Sequence, residues 1–179
     1  GDHQITDADR TFIGDPNPKA YGNVFTSLSY KRFRLDANFN YCLGNDVFNY
    51  QRQQLESGSR FINQTTAMLQ RWQSEGDQTS MPRVSFQDPM GNSRFSDRWI
   101  EDGSYFHLKT VTLSYTLPVH TSYLQGLEFW VQANNVFTLT KYLGSDPEFA
   151  VTSSVIGQGI DAGQLPQSRS FVAGVKINL

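Results

Sequence analysis

The sequence has almost no cysteine and little charge, and it lacks any long apolar run. Cys42 is the one cysteine among 179 residues, so an internal disulfide is excluded. Charged residues make up 18% of the chain and the net charge is −2, which gives no reason to expect a nucleic-acid-binding surface. No apolar run approaches the ~20 residues of a membrane-spanning helix. Taken alone, these features are typical of a soluble, β-rich domain.

Five segments alternate between apolar and polar residues, which is the pattern of strands with one apolar face. From Phe33 to Cys42 the odd-numbered residues are apolar, and the even-numbered residues are polar as far as Asn40. The other four alternating segments are 23–30, 110–117, 127–134 and 170–179. These stretches last 8–10 residues, which is close to the 9–11 of a tilted membrane strand and longer than the roughly 5–6 residues of a typical soluble strand.

Two environments produce this alternation. A soluble β-sandwich buries one face of each strand and wets the other, whereas a transmembrane β-barrel exposes one face to lipid and the other to a watery lumen. The connections favour the barrel. They run short, long, short, long, with the long ones at Gly44–Arg94 and about Lys141–Gln167. In an antiparallel sheet all short turns then lie at one end, as in outer-membrane barrels.

The sequence therefore predicts an all-β fold: about five antiparallel, up-and-down strands of an outer-membrane β-barrel, with long, partly helical extracellular loops. Helical stretches are expected at Asp46–Glu56 and at Ile62–Gln73, where Ile62, Leu69 and Trp72 would share a face. Ser74–Asn92 contains prolines and glycines and is expected to be loop. Residues 1–179 are expected to form a single region.

The polar strand faces carry the candidate ligand contacts, which are Arg34, Asp36, Trp130 and Gln132. Arg34 and Asp36 lie two apart on one face, as a charge pair within the lumen or as a contact to solute. Trp130 lies on a polar face, where it would stack on a sugar ring or pack against a domain that fills the lumen. Because a large indole is costly to leave in water, packing is the favoured reading.

No catalytic constellation can be assembled from the sequence, so an enzyme is not expected. His3, His107 and His120 are isolated from any other metal-ligating residue. The stretch Gly1–Asp9 resembles the second half of a calcium-binding loop, with Asp2 and Asp9 as ligands. The first carboxylates of such a loop would precede residue 1, so an ordinary acidic loop is favoured. No cofactor is expected, and Ca²⁺ would enter only in a longer chain.

Four blocks of sequence, in order along the chain, resemble SusC/RagA-type TonB-linked outer-membrane receptors. They are DRTFIGDPNPKAYG (9–22), YFHLKTVTLSYTLP (105–118), NNVFTLTKYLGSDPEF (134–149) and GIDAGQLPQSRSFVAGVKINL (159–179). The last three resemble the C-terminal end of such receptors. The resemblance implies the C-terminal strands of a plugged barrel of roughly 22 strands, whose plug and remaining strands are absent.

For function, the resemblance implies import of glycans or peptides across the outer membrane of a Gram-negative bacterium. The expected partners are a SusD-like surface lipoprotein, the TonB complex through absent N-terminal parts, and outer-membrane lipid. Tyr142 is expected in an interfacial aromatic girdle. The sequence departs from the family pattern at Leu165 and Leu179, where aromatic residues are usual. The alternative is a soluble, carbohydrate-binding β-sandwich module.

Overall fold

The computed structural model describes residues 6–119, 121, 123–149 and 157–178. These residues form two compact units. The sheet unit comprises Pro18–Asn45, Asp102–Phe149 and Leu165–Leu179, and the loop unit comprises Gly1–Asn17, Asp46–Glu101 and Ala150–Gln164. In the described part of the chain, no helix has the length and apolar character needed to cross a membrane.

Eight strands and one α-helix follow in chain order. They are β1 (Ala20–Tyr30), β2 (Phe33–Leu43), β3 (Asp46–Asn49), α1 (Tyr50–Glu56), β4 (Ile100–Asp102), β5 (Tyr105–Leu117), β6 (Gly126–Thr140), β7 (Ile160–Asp161) and β8 (Ser170–Asn178). The sheet unit is a five-stranded sheet in the order β1-β2-β5-β6-β8, and every neighbouring pair is antiparallel. The predicted up-and-down arrangement with alternating short and long connections is confirmed.

The register keeps the two predicted residue sets on opposite faces. Residues that oppose each other in an antiparallel pair point to the same side. One apolar row runs through Tyr30, Phe33, Tyr115, Phe129 and Val175, and the adjacent polar row runs through Ser29, Arg34, Ser114, Trp130 and Gly174. A slip of one residue would exchange the faces, so this agreement confirms the alternation argument.

A β-bulge interrupts the alternation on β5. Lys109 has no partner in the β2–β5 register, which shifts between Asn38 and Phe39. The β5–β6 register shifts at the same level, where Asn135 adopts a φ of 53°. Asparagine tolerates this left-handed conformation better than most residues, and here its Nδ2 donates to the Ser168 carbonyl at 2.8 Å.

The loop unit contains a second, three-stranded sheet in the order β4-β3-β7. The predicted helix at Asp46–Glu56 is wrong in its first part. Val47, Phe48 and Asn49 are buried, and β3 pairs in parallel with β7. The helix begins only at Tyr50, because the Asn49 side chain caps it by accepting a hydrogen bond from the Arg52 backbone N–H at 2.8 Å.

The predicted helix at Ile62–Gln73 is also wrong. Only a short 3₁₀ turn forms, over Thr66–Gln70. Ile62 and Leu69 are exposed, so the supposed apolar face has nothing to bury against, and the Trp72 backbone N–H is bonded instead to the Met81 carbonyl at 3.0 Å. Ser74–Asn92 is irregular, as predicted.

Arg52 organises the interior of the loop unit. Its Nε lies 2.7 Å from the Glu101 carboxylate, and a guanidinium N–H donates to the Arg98 carbonyl. Both guanidinium groups lie near the ring of Trp99, a residue that is 1% exposed, with the guanidinium carbons of Arg52 and Arg98 5.4 and 4.9 Å from the ring centre. Glu56, also buried, lies 3.9 Å from Arg52. The guanidinium of Arg52 therefore lies next to two largely buried carboxylates.

We expect Arg52→Met to destabilise the loop unit by about 2–4 kcal/mol, because it removes a cation that lies next to the largely buried carboxylates of Glu56 and Glu101. Faster hydrogen exchange of the α1 amides in the intact protein would report this loss. Arg60→Met is the matched control, since Arg60 is exposed and its guanidinium donates a hydrogen bond to Gln54 Oε1 at 3.3 Å. Equal effects of the two substitutions would contradict the assigned role of Arg52.

Candidate functional site

The polar face of the sheet unit carries all four sequence-predicted ligand-contact residues. Arg34 and Trp130 belong to one row across the strands, while Asp36 and Gln132 belong to the next row. The strand register thus brings the four residues onto two adjacent rows of one surface. Direct contact is shown only between Arg34 and Asp36.

Arg34 and Asp36 form the predicted charge pair. The Arg34 Nε lies 2.9 Å from Asp36 Oδ2, and Ser27 faces Asp36 across the β1–β2 pair. The Arg34 side chain is 57% exposed, so the pair contributes little to stability. Both groups instead remain accessible from the polar face.

Gln132 belongs to a ladder of uncharged polar groups across β5, β6 and β8. The Thr112 hydroxyl donates to Gln132 Oε1 at 3.2 Å, and Gln132 Nε2 donates to Asn134 Oδ1 at 2.8 Å. The Asn134 Nδ2 then donates to the Ser170 hydroxyl at 3.0 Å. This polar ladder (Thr112, Gln132, Asn134 and Ser170) offers donors and acceptors in fixed positions, which suits ligands rich in amide or hydroxyl groups.

Trp130 packs against its own sheet. Its indole lies over Gly174 on the neighbouring strand β8, where an added Cβ would be 2.5 Å from Trp130 Cζ2. Trp130 is half-buried. The favoured interpretation was packing of Trp130 against a domain that fills the lumen, and this stays a prediction; the contact that the structure shows is with Gly174.

A buried ionic cluster lies near the other end of the polar face. His107, 3% exposed, places Nδ1 2.9 Å from Glu148 Oε2, and Lys109 Nζ lies 2.7 Å from Glu148 Oε1. Burial raises the pKa of the Glu148 carboxyl, but hydrogen bonds and charge from Lys109 and His107 outweigh burial and hold it below its ordinary value. Sequence reasoning treated His107 as isolated, because Glu148 is 41 residues away.

The segment that supplies Glu148 folds back on itself. Tyr142 is 6% exposed, its ring covers Gly144, and its ring centre lies 6.3 Å from that of Phe149. Tyr142 was expected in an outward-facing aromatic girdle, and that expectation is wrong. Glycine at 144 leaves space above the backbone, and the tyrosine ring occupies it. We call Tyr142–Phe149 the rim segment.

Of the two candidate metal residues, Asp2 and Asp9, the structure describes only Asp9. Asp2 lies outside the described residues. Asp9 accepts hydrogen bonds from the Thr6 backbone N–H at 2.7 Å and from the Thr6 hydroxyl at 3.3 Å, which closes a short turn. Within residues 6–119, 121, 123–149 and 157–178, no three His, Cys, Asp or Glu side chains are grouped to hold a metal ion. A calcium site remains a prediction for a longer chain.

The opposite, apolar face is exposed and carries aromatic residues toward both ends. Phe33 and Tyr115 pair near the short turns, with ring centres 4.8 Å apart, and Phe39 and Phe106 pair near the long connections at 5.2 Å. Between them lie aliphatic rows, whose exposed members include Leu28, Leu35, Leu113 and Val131. An exposed apolar surface of this extent marks contact with a partner or a membrane.

Comparison with known proteins gives consistent relatives. No family model matches the chain. TonB-dependent receptor P3 of Formosa agariphila is 32% identical over 185 residues, which cover 99% of this chain and 18% of that receptor. TonB-dependent receptor P26 of the same organism is 26% identical with the same coverage. The chain therefore spans about a fifth of the length of these relatives.

Solved structures agree with the sequence relatives. The RagAB peptide importer in its "closed-closed" state matches with a TM-score of 0.81 and 28% identity, over 97% of this chain and 19% of that chain. The "open-open" state matches with a TM-score of 0.76 over 91% of this chain.

The chain matches TonB-dependent receptors over 99% of its length, and its five-stranded antiparallel sheet has one polar and one apolar face. Together these findings place the chain in the class of TonB-dependent receptors. Within that class, the chain belongs to the SusC/RagA type.

We expect Gly174→Ala to lower stability in the presence of Trp130 but not in its absence. The new methyl group must displace the indole, whereas in Trp130→Ala the space is already empty. Melting of the single and double variants forms a double-mutant cycle, with an expected coupling of about 1–3 kcal/mol. A Gly174→Ala penalty of the same size in both backgrounds would show that the ring does not lie over the glycine.

The Glu148 cluster should weaken in acid. A carboxyl whose folded pKa lies below its ordinary value of 4.5 stabilises the fold fully above pH 4.5 and loses this contribution as pH falls through the folded pKa. Hydrogen exchange of the Glu148 backbone amide should therefore rise below about pH 4.5, beyond the intrinsic dependence of exchange on pH. Glu148→Gln should abolish the additional rise.

Proposed function

We propose that this chain is part of the wall of a TonB-dependent importer in the outer membrane of a Gram-negative bacterium. The observation that carries the proposal is the sheet with an exposed apolar face and a hydrogen-bonded polar face, in a chain of the SusC/RagA type. In the whole receptor the apolar face contacts lipid and the polar face lines the lumen. The edge strands β1 and β8 pair with strands outside this chain, which closes the barrel.

The dimensions of the apolar face support membrane contact. On β2, Phe33 and Tyr41 are eight residues apart and end the apolar series. That separation is about 26 Å along the strand and about 20 Å along the membrane normal for a strand tilted by ~40°. The apolar band of an outer-membrane barrel is ~25 Å tall and is flanked by aromatic girdles. The Phe33–Tyr115 and Phe39–Phe106 pairs occupy the corresponding positions.

The alternative, a soluble carbohydrate-binding β-sandwich, fits the same exposure less well. In a sandwich the apolar face packs against a second sheet about 10 Å away and becomes a buried core. Here Leu28 is 62% exposed and Val131 is 54% exposed. Exposure of these side chains favours a face completed by lipid.

Arg34, Asp36, Trp130 and Gln132 are proposed to face the lumen, where they contact solute or a domain that fills the lumen. The arrangement of the polar ladder supports peptides as cargo, because amide groups match its alternating donors and acceptors. The RagAB neighbour is named as a peptide importer, which supports the same choice. Glycans remain the second candidate, since hydroxyl groups satisfy the same ladder.

The proposed partners follow from the family. A SusD-like surface lipoprotein pairs with the receptor on the extracellular side, and the TonB complex acts through parts of the receptor outside this chain. The curated relatives are named as receptors, which supports a role in transport and not in catalysis.

We expect Leu113→Lys to cost much more stability than Thr112→Lys, although the two residues are adjacent on β5. Leu113 lies in the middle of the apolar face, so a lysine there should cost about 2–4 kcal/mol in a bilayer. Thr112 lies on the polar face, where lysine should reduce stability by about 0–1 kcal/mol. The measurement is unfolding of the full-length receptor in lipid vesicles.

Amounts of assembled receptor in the outer membrane provide a second readout for the same pair. The lipid-facing assignment predicts a loss for Leu113→Lys alone. Equal tolerance of both lysines would place Leu113 in water and favour the soluble alternative.

A further inference from the structure

The two-residue turn between β1 and β2 carries two cations. Tyr30 and Phe33 form the last pair of the β1–β2 register, so Lys31 and Arg32 lie at the tip of the hairpin. Lys31 has a φ of 56°, a left-handed conformation that glycine and asparagine adopt more easily than lysine. The Thr116 backbone N–H donates to the Arg32 carbonyl at 2.9 Å, which attaches the turn to β5. The sheet therefore presents both cations from a defined backbone position. We call Lys31–Arg32 the basic turn.

The basic turn is not neutralised within the part of the chain that the structure describes. Among those residues, no carboxylate lies within ion-pair distance of Lys31 or Arg32, and both residues are exposed. This end of the sheet, where the short connections lie, is basic although the chain has a net charge of −2. From the row of Asp36 to the basic turn, the described charged residues are Lys31, Arg32, Arg34, Lys176, Asp36 and Glu128.

The basic turn borders an open cavity of about 380 Å³. Its described lining contains three cations and two hydroxyl groups and no carboxylate, and the residues that matter here are Ser29, Lys31, Arg32, Phe33, Arg34 and Thr116. Guanidinium, ammonium and hydroxyl groups are the donors that proteins use to bind oxygen anions, and guanidinium matches the geometry of a phosphate particularly well. The chemistry of this cavity therefore suits a phosphate group.

The basic turn is also continuous with the apolar face of the sheet. Tyr30, which is 71% exposed, lies in the same apolar row as Phe33 and Tyr115. The Lys31 Nζ lies 5.4 Å from the centre of the Tyr30 ring, so the ammonium group is next to an aromatic residue of that face. Lysine side chains at membrane surfaces place their carbon stem along apolar groups and their charge among polar ones in this way.

The depth of the basic turn matches the headgroup layer when the apolar face contacts lipid. A bilayer is about 40–45 Å thick with its headgroups and about 30 Å thick without them, which leaves about 5–8 Å for headgroups on each side. Lys31 and Arg32 each lie one residue, or about 3.4 Å along the strand, beyond the aromatic level of Tyr30 and Phe33. Their charged groups therefore extend into the layer that contains lipid phosphates.

We propose that the basic turn binds the phosphate group of an anionic phospholipid, in the leaflet at the short-turn end of the barrel. This inference rests on the proposed function, because contact of the apolar face with lipid sets the depth of the turn. The acyl chains lie along Tyr30, Phe33 and Tyr115, and the phosphate oxygens accept hydrogen bonds from Lys31 and Arg32. The two cations favour a lipid of net negative charge over a zwitterionic lipid, whose own ammonium group repels them.

The site is tested by binding of radiolabelled phosphatidylglycerol to the full-length receptor in a non-ionic detergent. The test variant combines Lys31→Asn with Arg32→Gln, because asparagine suits the left-handed conformation of residue 31 and keeps the turn. We expect its affinity for phosphatidylglycerol to be lower by about tenfold or more. Unlabelled phosphatidylcholine should compete poorly for the unaltered receptor. An unchanged melting temperature of the variant will show that the sheet is intact.

The matched control combines Lys141→Gln with Lys176→Gln, which removes two exposed lysines from elsewhere in the sheet unit. It should leave the affinity for phosphatidylglycerol unchanged. A charge-keeping variant, Lys31→Arg with Arg32→Lys, should retain most of the affinity. Full affinity in the test variant would overturn the site, as would an equal loss in the matched control or equal competition by phosphatidylcholine.

Inorganic phosphate distinguishes a lipid headgroup from a small anion. In large excess over the lipid it should displace little phosphatidylglycerol, because the acyl chains add contacts along the apolar face. Efficient displacement by phosphate would mean that the cavity takes a small anion, and the lipid assignment would then be wrong.

The lipid site and the proposed function fail in different ways. If the lysine test at Leu113 succeeds while the basic-turn variant binds phosphatidylglycerol normally, the receptor assignment holds and the phosphate site does not. If Leu113→Lys is tolerated while the basic-turn variant loses the lipid, the turn binds phospholipid on a protein with another function.

Discussion

The strand register is the constraint on which the rest of the sheet unit depends. Each antiparallel pair places Phe33, Tyr115 and Phe129 in one row and Arg34, Ser114 and Trp130 in the next. A one-residue slip in any pair would put charged groups among apolar ones on both surfaces. The apolar face, the polar ladder and the Trp130 contact with Gly174 all require this single alignment. The two-residue turn Lys31–Arg32, which leaves little freedom between β1 and β2, helps to fix it.

The bulge at Lys109 interrupts the regular alternation of β5, and the buried ionic cluster is built beside it. The bulge absorbs Lys109 as an extra residue. The residues on either side of it therefore keep their faces: Leu108 and Val111 both lie on the apolar face. Bulges often occur where a strand must redirect a side chain. Here the bulged residue and His107 bind a carboxylate from a distant part of the chain.

The loop unit is stabilised largely by hydrogen bonds of its side chains and less by strand pairing. Its interior contains Trp99 and Val47, but also Asn49 and Glu56, all of which are buried. Both polar members have hydrogen-bond partners in the same unit: Asn49 caps α1 and donates to Glu101 at 3.2 Å, while Glu56 accepts from Thr65 at 2.8 Å. A small irregular unit of this kind orders its backbone through side-chain bonds because it has few ladder bonds of its own.

The sequence by itself determined the strands, their faces and the alternation of short and long connections, because a period of two is a local property that each strand displays alone. It also placed Arg34, Asp36, Trp130 and Gln132 on the polar side. Local propensity predicted helices at Asp46–Glu56 and Ile62–Gln73, and both predictions were at least partly wrong. In the first segment, pairing with β7 made the opening residues a strand. In the second, the apolar residues had no surface to cover. Only the tertiary structure revealed Gly174 beneath Trp130 and Glu148 between His107 and Lys109. Those contacts join residues dozens of positions apart, and no local pattern records which distant side chain will arrive.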